Sequence, residues 1–189
     1  MKSSIRFFLT ITCLSLFATF LFTQNSSRKP RKEQVEWLTF AEAVERNTET
    51  PKMIFIDVYT DWCGWCKRMD KTTFSNPKVV ATMKQYFHAV KFDAEQRDSI
   101  VLGETVYRYQ PGGRRGVHEL AVALLQNRMS YPTVVFLDEG FNMVQPLAGY
   151  RTAKEMEPIL AYIGSKAFVD QEFEVFQASR EQEKSTFKD

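Results

Sequence analysis

The sequence is poor in the residues that bind metals, and neither sign of charge predominates. Among 189 residues it contains two histidines and three cysteines. Lys2 and Arg6 are the charged residues of the first 24 positions, and removing them from the 25 basic residues leaves 23, equal to the 23 acidic residues. A chain with balanced charge has no long-range attraction for nucleic acid or anionic lipid. We therefore expect no nucleic acid partner.

The sequence also lacks an apolar run long enough for an ordinary membrane span. The longest stretch, residues 7–22, has 16 positions and is diluted by threonine and serine, whereas a membrane-spanning helix needs about 20. With the basic residues before it, this pattern predicts a signal peptide over residues 1–24 and export to the periplasm or cell envelope. No Ala-x-Ala motif precedes Asn25, so an uncleaved anchor formed by residues 5–23 remains an alternative. Residues 25–36 are polar and basic and are predicted to be a linker.

The remainder of the chain alternates between helical and strand patterns. Thr39 to Glu42 form a capping box that predicts a helix start, and residues 53–59 are an apolar run typical of a strand buried on both faces. Pro146 interrupts the last strand, which predicts that this strand lies at a sheet edge. The order of elements indicates an α/β fold with a mixed sheet and helices on both faces. The other predicted elements are helices from the cysteine motif to about 71 and over 76–87, 117–126 and 152–163, strands over 88–94, 133–137 and 143–147, and a loop over 111–116.

The C-terminal tail, residues 165–189, is charged but carries three phenylalanines. Phe168, Phe173 and Phe176 are spaced so that a docked helix is expected, with fraying beyond about residue 179.

Cys63 and Cys66 form a closely spaced pair, with Gly64 and Trp65 between them. A disulfide across so short a loop gives little entropic stabilisation, so a structural role is disfavoured. The spacing suits a reversible dithiol, in which one thiolate attacks and the other resolves the mixed disulfide. A zinc site would also need His88 and His118, whose spacing does not match that of zinc fingers. We therefore expect no bound metal.

The position of the pair assigns different roles to the two cysteines. Cys63 follows a predicted strand and begins a helix, where unpaired N–H groups and the helix dipole stabilise a thiolate. We therefore expect Cys63 to be the more exposed residue and the nucleophile, and Cys66 to be more buried and to resolve the mixed disulfide.

Two charged residues in predicted strands are candidates for proton transfer. Asp57 lies six residues before Cys63 in a predicted buried strand, where desolvation raises the pKa of a carboxyl group. It is a candidate proton acceptor for the resolving thiol, with Lys91 of the neighbouring strand as its partner. A hydrogen-bonded structural acid is the alternative for Asp57.

Trp62 and Trp65 flank the cysteines. They could form an apolar lip that contacts a client protein. Packing in the core is the alternative, more so for Trp62 than for Trp65.

Two segments resemble a known superfamily. Residues 56–67 resemble the active-site segment of the thioredoxin superfamily, and Tyr131-Pro132 with the strand after it resembles that superfamily's cis-proline loop. Residues 141–149 resemble its closing hairpin, so the similarity spans about residues 37–164. The resemblance implies a thioredoxin fold, with Pro132 as a cis-proline beside Cys63 and the Tyr131 backbone bonding to a client peptide. The expected client-binding residues are then Trp62, Gly64, Trp65, Tyr131 and Pro132.

The chain departs from plain thioredoxin in three ways. Trp65 stands where proline is usual between the cysteines, and residues 95–129 are longer than the usual segment. The exported, tailed architecture resembles that of bacterial envelope thioredoxin-like proteins.

These features favour an envelope thiol–disulfide oxidoreductase with protein thiol or disulfide clients and no cofactor. Related dithiols span roughly −270 to −120 mV, so the direction stays open. The resemblance favours a reductase fed by a membrane thiol donor. One alternative is a non-catalytic binding module, against which the intact cysteine pair argues. A copper(I) metallochaperone is a further alternative, against which the cis-proline signature argues.

Overall fold

The computed structural model describes residues 33–186. The signal peptide or anchor predicted for residues 1–24, Cys13 within it, and most of the linker predicted for residues 25–36 lie outside the described residues. Within residues 33–186, no helix is both long and apolar enough to cross a lipid bilayer.

A five-stranded mixed sheet forms the centre of the fold, in the order β1-β3-β2-β8-β9. Strands β1, β3 and β2 run parallel, whereas β8 is antiparallel to both β2 and β9. The predicted mixed sheet is confirmed, and the strand that contains Pro146 lies at its edge. The strands are β1 (Trp37–Leu38), β2 (Met53–Tyr59), β3 (Phe87–Asp93), β8 (Thr133–Leu137) and β9 (Met143–Ala148).

The helices begin at the caps that the sequence encodes. Thr39 and Glu42 form the predicted capping box, in which the Thr39 backbone N–H donates to Glu42 Oε2 at 2.7 Å. Asn76 caps the helix that starts at Pro77, where a missing N–H costs nothing. The helices are α1 (Phe40–Glu49), α2 (Gly64–Thr72), α3 (Pro77–Tyr86), α4 (Glu119–Leu124), α5 (Ala153–Gly164) and α6 (Phe173–Thr186), with a 3₁₀ turn at Ala167–Val169.

Helices cover both faces of the sheet, because β2 is apolar on both of its faces. Ile54 and Ile56 face one apolar cluster, which α1 and α4 complete, while Phe55 faces a second cluster completed by α2, α3 and α5. Burial on both sides explains why the sequence of β2 lacks polar alternation. Asp57 is the one charged residue in this strand.

Residues 95–129 contain two small hairpins before α4. Strands β4 (Ile100–Leu102) and β5 (Thr105–Tyr107) form the first, and β6 (Tyr109–Gln110) and β7 (Val117–His118) form the second. The predicted loop at residues 111–116 joins β6 to β7. The helix predicted for residues 117–126 is shorter, because the His118 side chain caps α4 and accepts from the Leu120 N–H at 3.2 Å.

The C-terminal segment packs on α5 through Tyr162. Its ring centroid lies 6.5 Å from that of Phe168 and 5.3 Å from those of Phe173 and Phe176. Its hydroxyl donates to the Gln171 carbonyl at 2.6 Å. Helix α6 runs to Thr186, beyond the position near 179 where the sequence predicts fraying.

Candidate active site

A disulfide joins Cys63 and Cys66 at the start of α2. Cys63 is the N-cap of this helix, and its Sγ accepts a hydrogen bond from the Cys66 N–H at 3.0 Å. In this oxidised form Cys63 is 5% exposed and Cys66 2% exposed. The order of exposure is the expected one, but the contrast is small because the bond holds both sulfur atoms against the first helical turn.

The Tyr131–Pro132 peptide bond is cis, as the resemblance to the superfamily implies. Val58 of β2 pairs with Thr133 of β8 in antiparallel register. The C-terminal end of β2, which leads to Cys63, therefore lies next to the N-terminal end of β8, which follows Pro132. This topology brings the cysteine motif and the cis-proline loop to one end of the sheet.

The buried Asp57 and the partly buried Lys91 form an ion pair next to α2. The two residues are register partners on β2 and β3, and Lys91 Nζ lies 2.5 Å from Asp57 Oδ2. The same ammonium donates to Asp70 Oδ1 of α2, also at 2.5 Å. Lys91 therefore links the sheet to the helix that carries the cysteines.

Three aromatic rings surround the Lys91 ammonium. Its Nζ lies 5.0 Å from the Trp37 ring centroid, 4.9 Å from that of Tyr59 and 5.8 Å from that of Phe74. A cation over an aromatic face is attracted by the ring quadrupole, more strongly where water is excluded. These rings help to keep Lys91 charged in a partly buried position.

Burial and the charge of the partner shift the pKa of Asp57 in opposite directions, and the same holds for the pKa of Lys91. Burial raises the pKa of Asp57 to about 6, because the loss of solvent outweighs the attraction of Lys91. Burial by itself lowers the pKa of Lys91, but the attraction of Asp57 and the hydrogen bonds to Asp57 and Asp70 raise it above its usual value. Asp57 Oδ1 is buried and has no hydrogen-bond partner among residues 33–186. Asp57 can therefore accept a proton near neutral pH. Its Oδ1 is free to do so, while the Lys91 ammonium lies against Oδ2.

Trp62 is 51% exposed, so it does not pack in the core. Its indole N–H donates to Glu95 Oε1 at 2.8 Å, and its ring meets Tyr131 edge to face at 5.8 Å between centroids. The Arg115 guanidinium carbon lies 5.3 Å from the Trp62 ring centroid. Burial, with the charges of Glu95 and Asp93 adding to it, raises the pKa of Tyr131 to about 12, so Tyr131 stays neutral.

Trp65, on the first turn of α2, is 55% exposed. Its ring lies 5.3 Å from that of Tyr150, and Arg68 lies 5.2 Å from the Trp65 centroid and 5.7 Å from the Tyr150 centroid. A Cβ at Gly64, the first helical residue, would have no atom within 4 Å apart from its chain neighbours and the backbone of its own helix. The residues that flank and separate the cysteines therefore present open, largely aromatic surface.

Several of these residues were not identified from the sequence. Asp70 had a usable signal, because it lies four residues after Cys66 and so shares its face of α2. Arg68 had a similar signal, because it lies three residues after Trp65 on the same helix. Glu95, Arg115 and Tyr150 had no local signal, since each reaches the site only through the tertiary fold.

Both histidines are engaged with the backbone. His88 Nε2 lies 2.8 Å from the Thr50 carbonyl oxygen, and His118 Nε2 lies 3.1 Å from that of Asp98. Within residues 33–186, no group of three or more His, Cys, Asp or Glu side chains is arranged to hold a metal ion.

Comparisons with known proteins agree with this geometry. The family model described as "Thioredox_DsbH: Protein of unknown function, DUF255" matches residues 21–155. The thiol:disulfide interchange protein DsbD of Vibrio vulnificus (strain CMCP6) is 28% identical over 168 residues, which cover 81% of this chain and 24% of that protein. The chain thus spans about a quarter of the length of this curated relative.

Solved structures show the same fold. A proposed disulphide-isomerase from Bacteroides thetaiotaomicron is 26% identical with a TM-score of 0.51, over 75% of this chain and 98% of its own. A thioredoxin from Thermus thermophilus, 20% identical, superimposes with a TM-score of 0.52 over 69% of this chain and 88% of its own. The chain therefore belongs to the Thioredox_DsbH family, among the thioredoxin-like disulfide oxidoreductases.

Proposed function

We propose that this protein is a thiol–disulfide oxidoreductase of the cell envelope that reduces disulfides in client proteins through Cys63 and Cys66. The observation that carries the proposal is the placement of the pair, with Cys63 as the N-cap of α2 and Cys66 one turn into the helix. A structural disulfide has no need of this position, whereas a nucleophilic thiolate is stabilised by it.

The first step belongs to Cys63 in the reduced protein. The Cys66 N–H, which lies 3.0 Å from Cys63 Sγ, and the α2 dipole stabilise the Cys63 thiolate. This thiolate attacks one sulfur of a client disulfide. A bond forms between Cys63 and that sulfur, the client S–S bond breaks, and the other client sulfur leaves as a thiolate.

In the second step Cys66 resolves the mixed disulfide. We assign Asp57 as the base that takes the Cys66 proton, since its pKa of about 6 suits transfer near neutral pH and its Oδ1 is free to accept. Lys91 holds the opposite oxygen of Asp57. The Cys66 thiolate attacks Cys63 Sγ, forms the intramolecular disulfide and releases the second client thiolate. The client gains two electrons and the protein loses two.

The client-binding surface in this proposal comprises the exposed faces of Trp62 and Trp65, the open space at Gly64, and the loop at Tyr131 and Pro132. Large exposed aromatic residues dominate the energetics of protein interfaces. The Tyr131 backbone would bond an extended client segment beside the cis-proline.

The proposed location and partners rest on other observations. We assign residues 1–24 to an export signal, residues 37–164 to the thioredoxin-like domain and residues 165–189 to a C-terminal tail. A reductase in an oxidising compartment must be re-reduced, and we assign this role to a membrane thiol donor. The similarity to a protein named for thiol:disulfide interchange supports this assignment.

The test is reduction of a disulfide-bonded client such as insulin, with dithiothreitol as the electron source. Wild type accelerates the reaction, and Cys63→Ser abolishes the acceleration because it removes the nucleophile. Cys66→Ser, reduced beforehand and freed of dithiothreitol, accumulates a mixed disulfide with the client, visible on non-reducing gels, because the resolving thiol is missing. A wild-type protein that gives no acceleration over dithiothreitol alone would refute the proposal.

A further inference from the structure

The loop at residues 111–116 reaches the active site through Arg115. The Arg115 guanidinium stacks on Trp62, and its Nη1 lies 3.6 Å from Glu95 Oε2. The other carboxylate oxygen of Glu95 accepts the Trp62 indole N–H at 2.8 Å. Each of the three side chains therefore contacts the other two, although Arg115 comes from the loop between β6 and β7 and lies 53 positions after Trp62.

The end of this loop that carries Arg115 is fixed by its neighbours. The Gly116 N–H donates to the Tyr109 hydroxyl at 3.0 Å, and a Cβ at position 116 would lie 2.3 Å from the Gln110 carbonyl oxygen. Only glycine fits so close an approach. The Arg97 guanidinium carbon lies 5.3 Å from the Tyr109 ring centroid, so Arg97 packs over this ring. Arg115 therefore extends from a constrained backbone.

These contacts determine which part of the Trp62 side chain is free to contact a client. Its single hydrogen-bond donor is occupied by Glu95, Arg115 stacks on the indole, and the Tyr131 ring lies against it edge to face. Trp62 is nevertheless half exposed, and its indole has no second polar atom. A polar client group would find no free donor there, whereas an apolar side chain would gain contact area.

We propose that Glu95 and Arg115 are positioning residues that hold the Trp62 indole beside Cys63. Held in this way, the indole forms a contact surface for an apolar side chain next to the client's reactive cysteine. Residues 95–129 then select clients although they supply no reacting group. The inference rests on the proposed function for its client, but the placement of Trp62 can be measured without any activity.

The first test observes the Trp62 indole N–H by NMR, with its resonance identified by its loss in Trp62→Phe. In Glu95→Ala the indole N–H loses its acceptor, and its exchange with water accelerates about tenfold or more. Glu95→Gln restores slow exchange, because the amide oxygen still accepts. Arg114→Met is the matched control for Arg115→Met, since Arg114 is exposed on the same loop and has no ion pair or ring contact within residues 33–186.

The second test compares two disulfide-bonded peptides that carry either leucine or glutamate beside the cysteine. Wild type prefers the leucine peptide. Arg115→Met and Glu95→Ala raise KM for that peptide about threefold to tenfold, the size expected for the loss of one cation–π contact and one hydrogen bond. In both variants kcat, the redox potential and the rate with oxidised glutathione stay as in wild type. Arg114→Met leaves KM unchanged.

Equal KM values for the two peptides in wild type, or unchanged KM in Arg115→Met and Glu95→Ala, would overturn the proposal. A shift in redox potential in either variant would also overturn it, because the residues would then act on the chemistry rather than on the client. If wild type reduces neither peptide, the proposed function fails, and the proposed client contact at Trp62 fails with it. Indole exchange then still decides whether Glu95 and Arg115 hold Trp62.

Discussion

Replacing Asp57 with asparagine should make the oxidised protein more stable relative to wild type as the pH rises from below about 4 to neutral. Burial raises the pKa of Asp57 from 3.8 to about 6. A carboxyl whose pKa is higher in the folded state binds its proton more tightly there, so folding is penalised once the group must ionise. The penalty is absent below pH 3.8, grows between pH 3.8 and about 6, and is complete above that. The shift corresponds to about 3 kcal/mol, at 1.36 kcal/mol per pKa unit.

The assay is urea unfolding of the oxidised protein at several values of pH, since the disulfide keeps both cysteines from titrating. The free energy of unfolding of Asp57→Asn, measured relative to wild type, should rise by about 3 kcal/mol from below pH 4 to pH 7.5. Any constant offset from packing of the amide cancels in this difference. Asp61→Asn, which removes one carboxylate at an exposed position before Cys63, is the charge-matched control. A pH-independent difference, or a relative gain of wild type with rising pH, would mean that attraction to Lys91 outweighs desolvation.

Three further substitutions test the packing. In chemical denaturation, Gly164→Ala should lower the free energy of unfolding by about 1–3 kcal/mol, because the new Cβ would lie 2.5 Å from Tyr86 Cβ. Gly112→Ala is the control and should have little effect, because open space surrounds Gly112. Phe55→Ala should cost about 3–5 kcal/mol by the same measurement, since its ring is fully buried among other aromatic rings. Tyr162→Ala removes the ring and hydroxyl that hold the C-terminal segment, so limited proteolysis should cleave α6 faster than in wild type.

The sequence predicted the elements that have a strong local signal. The capping box at Thr39, the continuous apolar run of β2 and the edge strand marked by Pro146 all appear in the structure. Each depends on neighbouring residues alone, so a single sequence reveals it. The site at the end of β2 followed from the same logic, because a strand, a cysteine pair and a helix succeed one another directly.

What the sequence did not predict depends on contacts between distant segments. Strand β1 has two residues, too few for any periodicity, and it exists because it pairs with β3. The short strands of residues 95–129 are equally brief. The core-packing alternative for Trp62 is wrong, because Glu95 and Arg115 hold the indole at the surface and neither is near it in sequence.

In the proposed function Cys63 and Cys66 form a reversible redox pair with a potential low enough to reduce client disulfides. Equilibration in glutathione buffers, with Cys63→Ser as the control, measures it most directly. We expect a reversible two-electron titration with a potential near the reducing end of the known range, about −270 mV. A potential near −120 mV would contradict the reductase assignment and indicate a disulfide-forming catalyst. The absence of any reversible titration would contradict the oxidoreductase itself.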